Sequence, residues 1–474
     1  MLHPSTPFKL VLIFCAFCWL IPSSIWAQDI SKELNKATPE WVVSTDFLRQ
    51  SKGSSLVIDS FGNSYSTGYF SDKMWLEDSL YVEGFNALKF KDSNYFLSKR
   101  DPQGTLLWIR YGIGHARTST VLLDKLGNVY TVGQVRNTSL FLSSSKDSMV
   151  RKNKSYLHSN QSNLFICQYS PTGKVLRAKI IPSQKGQVSN ACVLDAQGNF
   201  LIGGYYYYST AEAPNVIKSS YALTKLNAAW DILWTKEGDT LSQSQITGIA
   251  LDAQSNSYLT GSFVKSIAFS KQRLKGQDNG NQSFIIKYNP AGEVQWVLDS
   301  LVSTPTSFGM DIACDKEQNV YALIHTQHSR AFLIKFDSNQ RQIWSKTIEG
   351  RQTINGLLLN EKNHIYLFGN GYTGNFGRIE EPNKNHSYHN YNCYSFFVAK
   401  YNTYGNLLGL NIEGTNGTNY CQGIALFKNK ILVLGTSNAG RELHFGSYTK
   451  KVEWYVNIWL ASFYEGNFAI KSQD

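Results

Sequence analysis

A ten-residue pattern recurs along the chain at long intervals. The stretch "DSFGNSYSTG", from Asp59 to Gly68, returns as "DKLGNVYTVG", "DAQGNFLIGG" and "DAQSNSYLTG". A repeat of this length is typical of folds built from many copies of one supersecondary unit, so it constrains the fold more than any other feature. Seven copies keep the register, with Asp59, Asp124, Asp195, Asp252, Asp315, Asn360 and Leu426 in first place, and Tyr65, Tyr130, Leu201, Tyr258, Tyr321, Tyr366 and Leu432 six residues later.

Each copy has the chemistry of a tight turn between two strands. An Asp side chain bonds the backbone amides that follow it, while Gly and Asn tolerate a positive φ. Apolar residues flank the "DxxGN" core with strand patterning. The pattern therefore predicts a β-hairpin, and it gives the recurring Asp a structural role instead of a catalytic one.

A second motif follows each hairpin, as in "SFIIKYNPAGEVQW". Its Lys and Trp are nine residues apart in four copies, at Lys99 and Trp108, Lys225 and Trp234, Lys287 and Trp296, and Lys335 and Trp344. Two further copies keep the spacing but carry Arg177 and Gly409 in place of Trp. The motif predicts another strand, turn and strand, so each unit holds four strands, the content of a propeller blade.

Trp41 stands apart from these motifs because no unit precedes it, whereas the last unit lacks the Trp that ends the second motif. We therefore expect the strand around Trp41 to complete the last blade and to close the ring, which removes exposed sheet edges. The tail from Asn467 is an alternative source of that strand. A solenoid is the alternative architecture, but it would need polar capping repeats at both ends.

Together the two motifs resemble the bacterial SBBP-type β-propeller repeat. The shared residues are "D-x-x-G-N-x-Y-x-x-G" followed by "F-x-x-K-[YF]-x-x-x-G-x-x-x-W". The resemblance covers nearly all of residues 28–474 and implies an all-β, seven-bladed β-propeller of four-stranded blades, forming one domain outside the cytoplasm, as in secreted proteins of Bacteroidetes-like bacteria. It implies no reaction, because a fold does not determine a function.

Residues 1–27 have the pattern of a secretory signal peptide. Lys9 precedes an apolar run from Leu10 to Ile21, and Ala27 precedes the expected cleavage point. The run is shorter than the roughly 20 residues that a spanning helix needs. We therefore expect a secreted or extracytoplasmic protein, in the periplasm, on the outer surface or released, with no transmembrane segment after cleavage.

Charge and cysteine content exclude some classes of protein. The formal charge is +11, but the 46 basic residues are scattered and no nucleic-acid motif is present, so we expect no nucleic-acid partner. The cysteines that remain after cleavage are odd in number and irregularly spaced, which argues against a disulfide framework. Only Cys393 and Cys421 lie in polar stretches where a disulfide is conceivable.

The motifs of common enzyme classes are missing. The chain has no GxSxG, HExxH, P-loop or sialidase-type Asp box. The stretch "HSYHNYNC" could supply zinc ligands, and "HTQH" holds His325 and His328, but surface histidines are the favoured interpretation. We expect neither a metal nor a cofactor.

Clustered aromatic residues in long loops favour binding instead. Aromatic rings near Asn and His can stack on sugars or anchor a protein. The residues expected to bind a protein or glycan are Tyr388, Tyr391, Tyr394, His386, His389 and Trp75. The sequence thus predicts a non-enzymatic binding or scaffolding module, with a polysaccharide hydrolase or lyase acting in the propeller funnel as the alternative.

Overall fold

The structure is a computed structural model of the 474-residue chain. It describes residues 38–47, 51–71, 73–76, 80–83, 93–113, 115–136, 139–142, 149–152, 162–183, 185–210, 213–239, 242–277, 280–299, 301–327, 330–350, 352–372, 394–413, 418–438, 442–445, 448–451 and 456–468. The predicted signal peptide lies outside these residues.

The described residues form β-strands almost throughout. In chain order they are β1 (Trp41–Phe47), β2 (Ser51–Ile58), β3 (Ser64–Phe70), β4 (Lys73–Leu76), β5 (Leu80–Glu83), β6 (Asn94–Arg100), β7 (Leu106–Ile113), β8 (Ala116–Leu123), β9 (Val129–Arg136), β10 (Ser139–Leu142), β11 (Met149–Lys152) and β12 (Ser162–Tyr169). They continue with β13 (Val175–Ile181), β14 (Gly186–Leu194), β15 (Phe200–Thr210), β16 (Ala213–Leu226), β17 (Ile232–Glu237), β18 (Gln245–Leu251), β19 (Ser257–Val264), β20 (Ser266–Phe269), β21 (Gln272–Lys275), β22 (Asn281–Tyr288), β23 (Val294–Asp299) and β24 (Ser307–Cys314). The last are β25 (Val320–Thr326), β26 (Ala331–Phe336), β27 (Gln342–Ile348), β28 (Gln352–Leu359), β29 (Ile365–Tyr372), β30 (Tyr394–Tyr401), β31 (Leu407–Glu413), β32 (Thr418–Phe427), β33 (Lys430–Asn438), β34 (Glu442–Phe445), β35 (Tyr448–Lys451) and β36 (Val456–Tyr464), before a 3₁₀ helix at Glu465–Phe468.

Seven antiparallel four-stranded blades form a ring, as the repeat predicted. From the inner to the outer strand, the blades are β2-β3-β6-β7, β8-β9-β12-β13, β14-β15-β16-β17, β18-β19-β22-β23, β24-β25-β26-β27, β28-β29-β30-β31 and β32-β33-β36-β1. Each inner strand contacts the inner strand of the next blade, and β2 of blade 1 contacts β32 of blade 7. The chain is therefore a closed seven-bladed β-propeller, and a solenoid is excluded.

The prediction for ring closure is confirmed. Strand β1 pairs with β36 along its whole length, with Trp41 opposite Ser462 and Phe47 opposite Val456. Residues from Glu465 to Phe468 form the 3₁₀ helix, so the tail from Asn467 does not supply this strand. The two ends of the described chain therefore share one blade.

Apolar side chains fill the spaces between blades. The described core divides into seven clusters, one at each interface between neighbouring blades. The tryptophans of the second motif also join blades, since the indole nitrogen donates to a turn carbonyl of the next blade in the pairs Trp41 to Pro102, Trp108 to Pro171, Trp234 to Pro290 and Trp344 to Thr403. In blade 2, Arg177 replaces the Trp and donates to Ala229, so the link is kept.

Antiparallel pairing gives the ring two different faces. Turns joining the first to the second strand, and the third to the fourth, emerge on one face, which we call the turn face. Connections between the second and third strands emerge on the other, the loop face. On the loop face, hairpins reach back to the preceding blade: β4-β5 pairs with β1, and β10-β11 pairs with β7.

A belt of hydrogen bonds links the inner strands around the axis. Each inner strand has a β-bulge at the same level. One residue of the inner strand is left unpaired there, while the residues on either side of it pair with the second strand. The bulged Asn190 donates to Ile246 of the next blade at 2.8 Å, and the bulged Thr247 donates to Gly309 at 2.7 Å. A bulge turns a side chain out of the sheet, so these polar groups can cross to the neighbouring blade.

Candidate ligand-binding cavity

The recurring Asp holds its own turn together. In blade 1, Asp59 Oδ1 accepts hydrogen bonds from the amides of Phe61 and Asn63, at 3.0 and 2.9 Å. Its Oδ2 accepts from Asn63 Nδ2 at 2.8 Å and from the Tyr65 hydroxyl at 3.1 Å. The Asn and Tyr bonds recur around Asp124, Asp252 and Asp315. The structural role predicted for these carboxylates is confirmed.

The Lys of the second motif lies beside the same carboxylate. Lys225 Nζ is 3.9 Å from Asp195 Oδ2, and Lys287 Nζ is 3.8 Å from Asp252 Oδ2. These side chains are largely buried, so the pairs are shielded from solvent. In blades 1, 4 and 5, Asp, Tyr and Lys of the two motifs thus form one polar group on the turn side of the blade.

Blade 6 has Asn360 where blades 1 to 5 have Asp, and a distant residue supplies the missing charge. Glu465, in the 3₁₀ helix after the last strand of blade 7, accepts hydrogen bonds from Lys400 Nζ at 2.6 Å and from the Tyr366 hydroxyl. Burial alone would raise the pKa of Glu465, but the hydrogen bonds from Lys400 and Tyr366 outweigh it and hold the pKa below its usual value. The carboxylate therefore stays charged and hydrogen-bonded.

The same segment replaces the missing tryptophan of blade 6. A Cβ on Gly409 would lie 1.6 Å from the carbonyl oxygen of Phe468, so a larger residue cannot occupy this position. Phe468 is buried and packs edge-on against Phe463, with ring centroids 6.0 Å apart. Both departures of blade 6 from the repeat thus have one physical cause, the returning C-terminal segment.

This segment borders a cavity of about 1100 Å³ on the turn face. Blades 6, 7 and 1 contribute the ends of their inner strands and the turns that follow them. The apolar wall consists of Leu56, Val57, Ile58, Leu358, Leu359, Leu408, Ile424, Ala425, Leu426, Phe427 and Phe468, and the polar lining includes Ser60, Asn360, Glu361, Lys362, His364, Lys400, Lys428, Asn429 and Glu465. A cavity of this size and composition is typical of a ligand-binding site.

Lysines dominate the free charge of this lining. Because Lys400 is paired with Glu465, the remaining charged residues of the lining are two lysines, Lys362 and Lys428, and one glutamate, Glu361. Lys362 and Lys428 are exposed, and Lys428 Nζ lies 5.1 Å from the centre of the Phe427 ring. The electrostatic character of the cavity mouth is therefore cationic.

His364 adds a polar group that is neutral at pH 7. Burial, and then the charge of Lys400, lowers the pKa of His364. Its Nδ1 is buried and has no hydrogen-bond partner among the described residues. The positive charge of the cavity thus comes from lysines.

The turn of blade 7 differs from the sequence-based alignment. Leu426 is still paired in the strand, opposite Ile431, and Phe427 pairs with Lys430, so only Lys428 and Asn429 lie between the strands. The segment between Leu426 and Ile431 has four residues. It is one residue shorter than the turn between Ile58 and Ser64 of blade 1. Leu426 is therefore a strand residue, like Ile58 of blade 1, and does not occupy the turn position of Asp59 as the sequence alignment predicted.

Two of the residues predicted to bind a ligand, Trp75 and Tyr394, lie in strands at the loop face, away from this cavity. Trp75 lies in β4, with its Cα opposite those of Asp46 and Tyr81, on a hairpin of the loop face. Tyr394 begins β30, opposite Tyr372. The other four, Tyr388, Tyr391, His386 and His389, lie outside the described residues, as does Cys393, so their roles and the disulfide with Cys421 stay predictions.

His325 of "HTQH" is a structural residue. Its Nε2 accepts a hydrogen bond from the amide of Ile354 at 3.2 Å, which joins blade 5 to blade 6. Burial lowers the pKa of His325 to about 4, so the imidazole is neutral and can accept this bond. Its partner in the motif, His328, lies outside the described residues.

A buried carboxylate lies near the axis at the same two blades. Asp311 accepts hydrogen bonds from the amides of Leu357 and Ile312, both at 2.9 Å. Gly248 and Gly356 flank it, and a Cβ on either would lie 2.9 Å from a carboxylate oxygen. Burial raises the pKa of Asp311 to about 6, partly offset by those amides.

The described residues contain no group of three or more His, Cys, Asp or Glu arranged to hold a metal ion. No helix among them is long and apolar enough to cross a bilayer.

Fold and cavity together define a class of protein: a seven-bladed β-propeller with a ligand-sized cavity on its turn face. No family model matches the chain. A curated relative is the uncharacterised WD repeat-containing protein L264 of Acanthamoeba polyphaga mimivirus, 23% identical over 214 residues, which are 42% of this chain and 15% of the relative. The match thus spans only a small part of that relative's length.

Solved structures similar to this chain include Sqt1 from Chaetomium thermophilum, with 7% identity, coverage of 88% of this chain and 97% of that chain, and a TM-score of 0.44. A PL25 polysaccharide lyase, an ulvan lyase, has 8% identity, coverage of 91% and 96%, and a TM-score of 0.42. A protein of unknown function from Bacteroides caccae has 11% identity, coverage of 64% and 88%, and a TM-score of 0.36. The assignment of the fold rests on the strand pairing described above.

Proposed function

We propose that the protein is a secreted or cell-envelope β-propeller that acts as a non-enzymatic binding module, with the turn-face cavity as its ligand site. The cavity itself is the observation that carries this proposal. It combines an apolar wall with a few charged groups at the mouth, the usual composition of a binding pocket. The signal-peptide pattern of residues 1–27 supports a location outside the cytoplasm.

The disposition of carboxylates favours binding over glycoside hydrolysis. A glycosidase needs two carboxylates facing one substrate bond. Of the glutamates that line the cavity, Glu465 is held by Lys400 and Tyr366, and Glu361 is exposed at the mouth. The repeated aspartates are distributed one to a blade and are bonded within their own turns.

A binding screen with a blocking variant tests this proposal. Residues 28–474 would be screened against a glycan array and a panel of extracytoplasmic proteins. Ser60→Trp places an indole at the cavity mouth, and Ala253→Trp is its matched control, because Ala253 has the same exposed turn position in blade 4. We expect Ser60→Trp to abolish binding and Ala253→Trp to leave it unchanged.

Two other outcomes would overturn the proposal. Binding that survives Ser60→Trp but is lost in Tyr391→Ala or His389→Ala would assign the site to the aromatic stretch predicted from the sequence. Release of reducing ends or unsaturated sugars from a polysaccharide, abolished by Ser60→Trp, would establish the enzymatic alternative.

A further inference from the structure

The tips of the first turn differ from blade to blade in an ordered way. In blade 1, Gly53 and Gly68 form a cross-strand pair beside the bulge of the inner strand. Each other blade has an equivalent pair beside its own bulge, so the first turns can be aligned and the residue at their tip compared around the ring. From blade 1 to blade 6 this position holds Phe61, Leu126, Gln197, Gln254, Glu317 and Lys362, and the shorter turn of blade 7 has Lys428 at its tip. The ring thus carries two lysines, then two apolar residues, then polar and acidic residues.

The apolar tips are exposed far more than structural residues need to be. Phe61 is 79% exposed and Leu126 is 80% exposed. Neither contributes to the core, and a turn tip tolerates a polar residue, as Gln197 and Gln254 demonstrate at the same position. Exposed apolar side chains that adjoin a cavity are typical of an interaction surface.

The apolar tip of blade 1 is continuous with the cavity. Phe427 of blade 7 lines the cavity, and a Cβ on Gly62, next to Phe61, would lie 2.7 Å from its ring. Lys428 lies over that same ring. The three tips Lys362, Lys428 and Phe61 therefore form one surface at the cavity mouth, which we call the cationic-apolar arc, and Leu126 is the tip of the next blade along the ring.

We infer that the cavity and the cationic-apolar arc bind a peptide segment of a partner protein in which acidic residues lie beside apolar ones. This inference rests on the proposed function. Carboxylates of the peptide contact Lys362 and Lys428, while its apolar side chains lie on Phe61 and in the cavity. An apolar centre with a charged rim is the usual arrangement of a protein interface.

The lining favours a peptide over a glycan. Sugar hydroxyls need hydrogen-bond partners, and unpaired hydroxyls against an aliphatic wall are unfavourable. Asn360 and Asn429 are the amide side chains among the described lining residues, and Asn360 Oδ1 already accepts from the amides of Lys362 and His364. Aliphatic residues from three blades form most of the apolar wall, and Phe427 and Phe468 complete it.

An array of peptides tests the inference. The intact mature chain would be applied to 15-residue peptides that pair Asp or Glu with Leu, Val or Phe at varied spacing, with Lys-for-Asp and Ser-for-Leu versions as controls. Anisotropy titrations of the best binder would follow, with oligogalacturonate as an acidic glycan without apolar groups. We expect acidic-apolar peptides to bind, with an affinity that falls as salt rises.

Tip variants should then separate the two contributions. Lys362→Gln with Lys428→Gln should weaken binding about tenfold and remove most of the salt dependence. Phe61→Gln should weaken it by about tenfold or more without changing the salt dependence. Gln254→Ala, at the same tip on the opposite side of the ring, should leave affinity unchanged; all these tips are exposed, so folding is preserved.

The outcomes distinguish this inference from the proposed function. If oligogalacturonate or another glycan binds in a way that Ser60→Trp abolishes, and no acidic-apolar peptide does, the inference is wrong and the proposed function stands. If nothing binds in a way sensitive to Ser60→Trp, both are wrong. Peptide binding that the arc variants leave unchanged would also overturn the inference.

Discussion

Lys400 Nζ lies 2.6 Å from Glu465 Oε1, and this pair places a carboxylate from the C-terminal segment where other blades have the aspartate of their own turn. The two side chains are only 20% and 21% exposed. Because Glu465 follows the last strand of blade 7, the ion pair joins the closing blade to its neighbour. It therefore contributes to keeping the ring closed as well as to the shape of the cavity.

Replacing Glu465 should weaken this closure. Glu465→Gln removes the ion pair with Lys400 and weakens the bond to Tyr366, and we expect unfolding free energy to fall by about 1 kcal/mol at pH 7. Since the pKa of Glu465 is lowered in the folded protein, its contribution is present above the unfolded pKa and is lost as pH falls. Urea unfolding of the variant and the wild type at pH 7 and pH 4 measures both effects.

Glu349→Gln is the control for that experiment. Glu349 pairs with Arg330 at 3.9 Å, but these side chains are 68% and 57% exposed. An exposed pair contributes little to stability. Equal losses in the two variants would contradict the role assigned to Glu465.

Filling the space at Gly409 should displace the C-terminal segment. The Cβ of Gly409→Ala would overlap the carbonyl of Phe468, so we expect a loss of about 1 to 3 kcal/mol in thermal or urea unfolding. Gly423→Ala is a suitable comparison, because its Cβ would meet Leu56 at an ordinary 3.6 Å. A fully stable Gly409→Ala would mean that Phe468 is free to move away at no cost.

The buried carboxylate of Asp311 should make stability depend on pH in an unusual direction. Its folded pKa of about 6 lies above its ordinary value of 3.8, so the native state binds more protons and loses stability as pH rises between these values. Asp311→Asn cannot titrate. We expect the stability of Asp311→Asn relative to the wild type to increase by about 2 kcal/mol from pH 4.5 to pH 7.

Equilibrium urea unfolding at both pH values measures this double difference. It cancels the change in hydrogen bonding that the amide itself causes, since that change is the same at both pH values. An unchanged difference would show that Asp311 is ionised at both.

His325 should make stability depend on pH in the opposite direction. Its folded pKa of about 4 lies below the ordinary 6.5, so the native state binds fewer protons and loses stability as pH falls through this window. His325→Gln retains an acceptor for the Ile354 amide but cannot be protonated. We expect near-equal stability at pH 7 and a variant more stable than the wild type by about 2 kcal/mol at pH 5, as measured by chemical unfolding.

The fold could be predicted in detail because its determinants are local and repeated. The Asp59 turn, with its Asn and Tyr partners, lies within seven residues, and the same bonds recur around Asp124 and Asp252. The strand at Trp41 was predictable because the last unit lacked one. The bulges of the inner strands could not be predicted from the sequence. The bulged residues, such as Ser119 and Asn190, differ in type and share only their place in the sheet.

The cavity could not be predicted, because its parts are far apart in the chain. Leu56, Leu358 and Ile424 meet only when blades 1, 6 and 7 close the ring. The one signal available was the paired departure of Asn360 and Gly409 from the repeat, which marks blade 6 without indicating what replaces the lost residues. Two of the aromatic residues that the sequence favoured, Trp75 and Tyr394, lie in strands at the opposite face.

The sequence by itself determined the number of blades, the order of strands and the position of closure, because hairpin turns depend on residues a few positions apart. Tertiary structure alone decided which turns became neighbours, which charges were paired and where a ligand could enter. The reason is that a cavity is the space left between blades, and that space depends on contacts between residues such as Lys400 and Glu465, whose proximity no local pattern encodes.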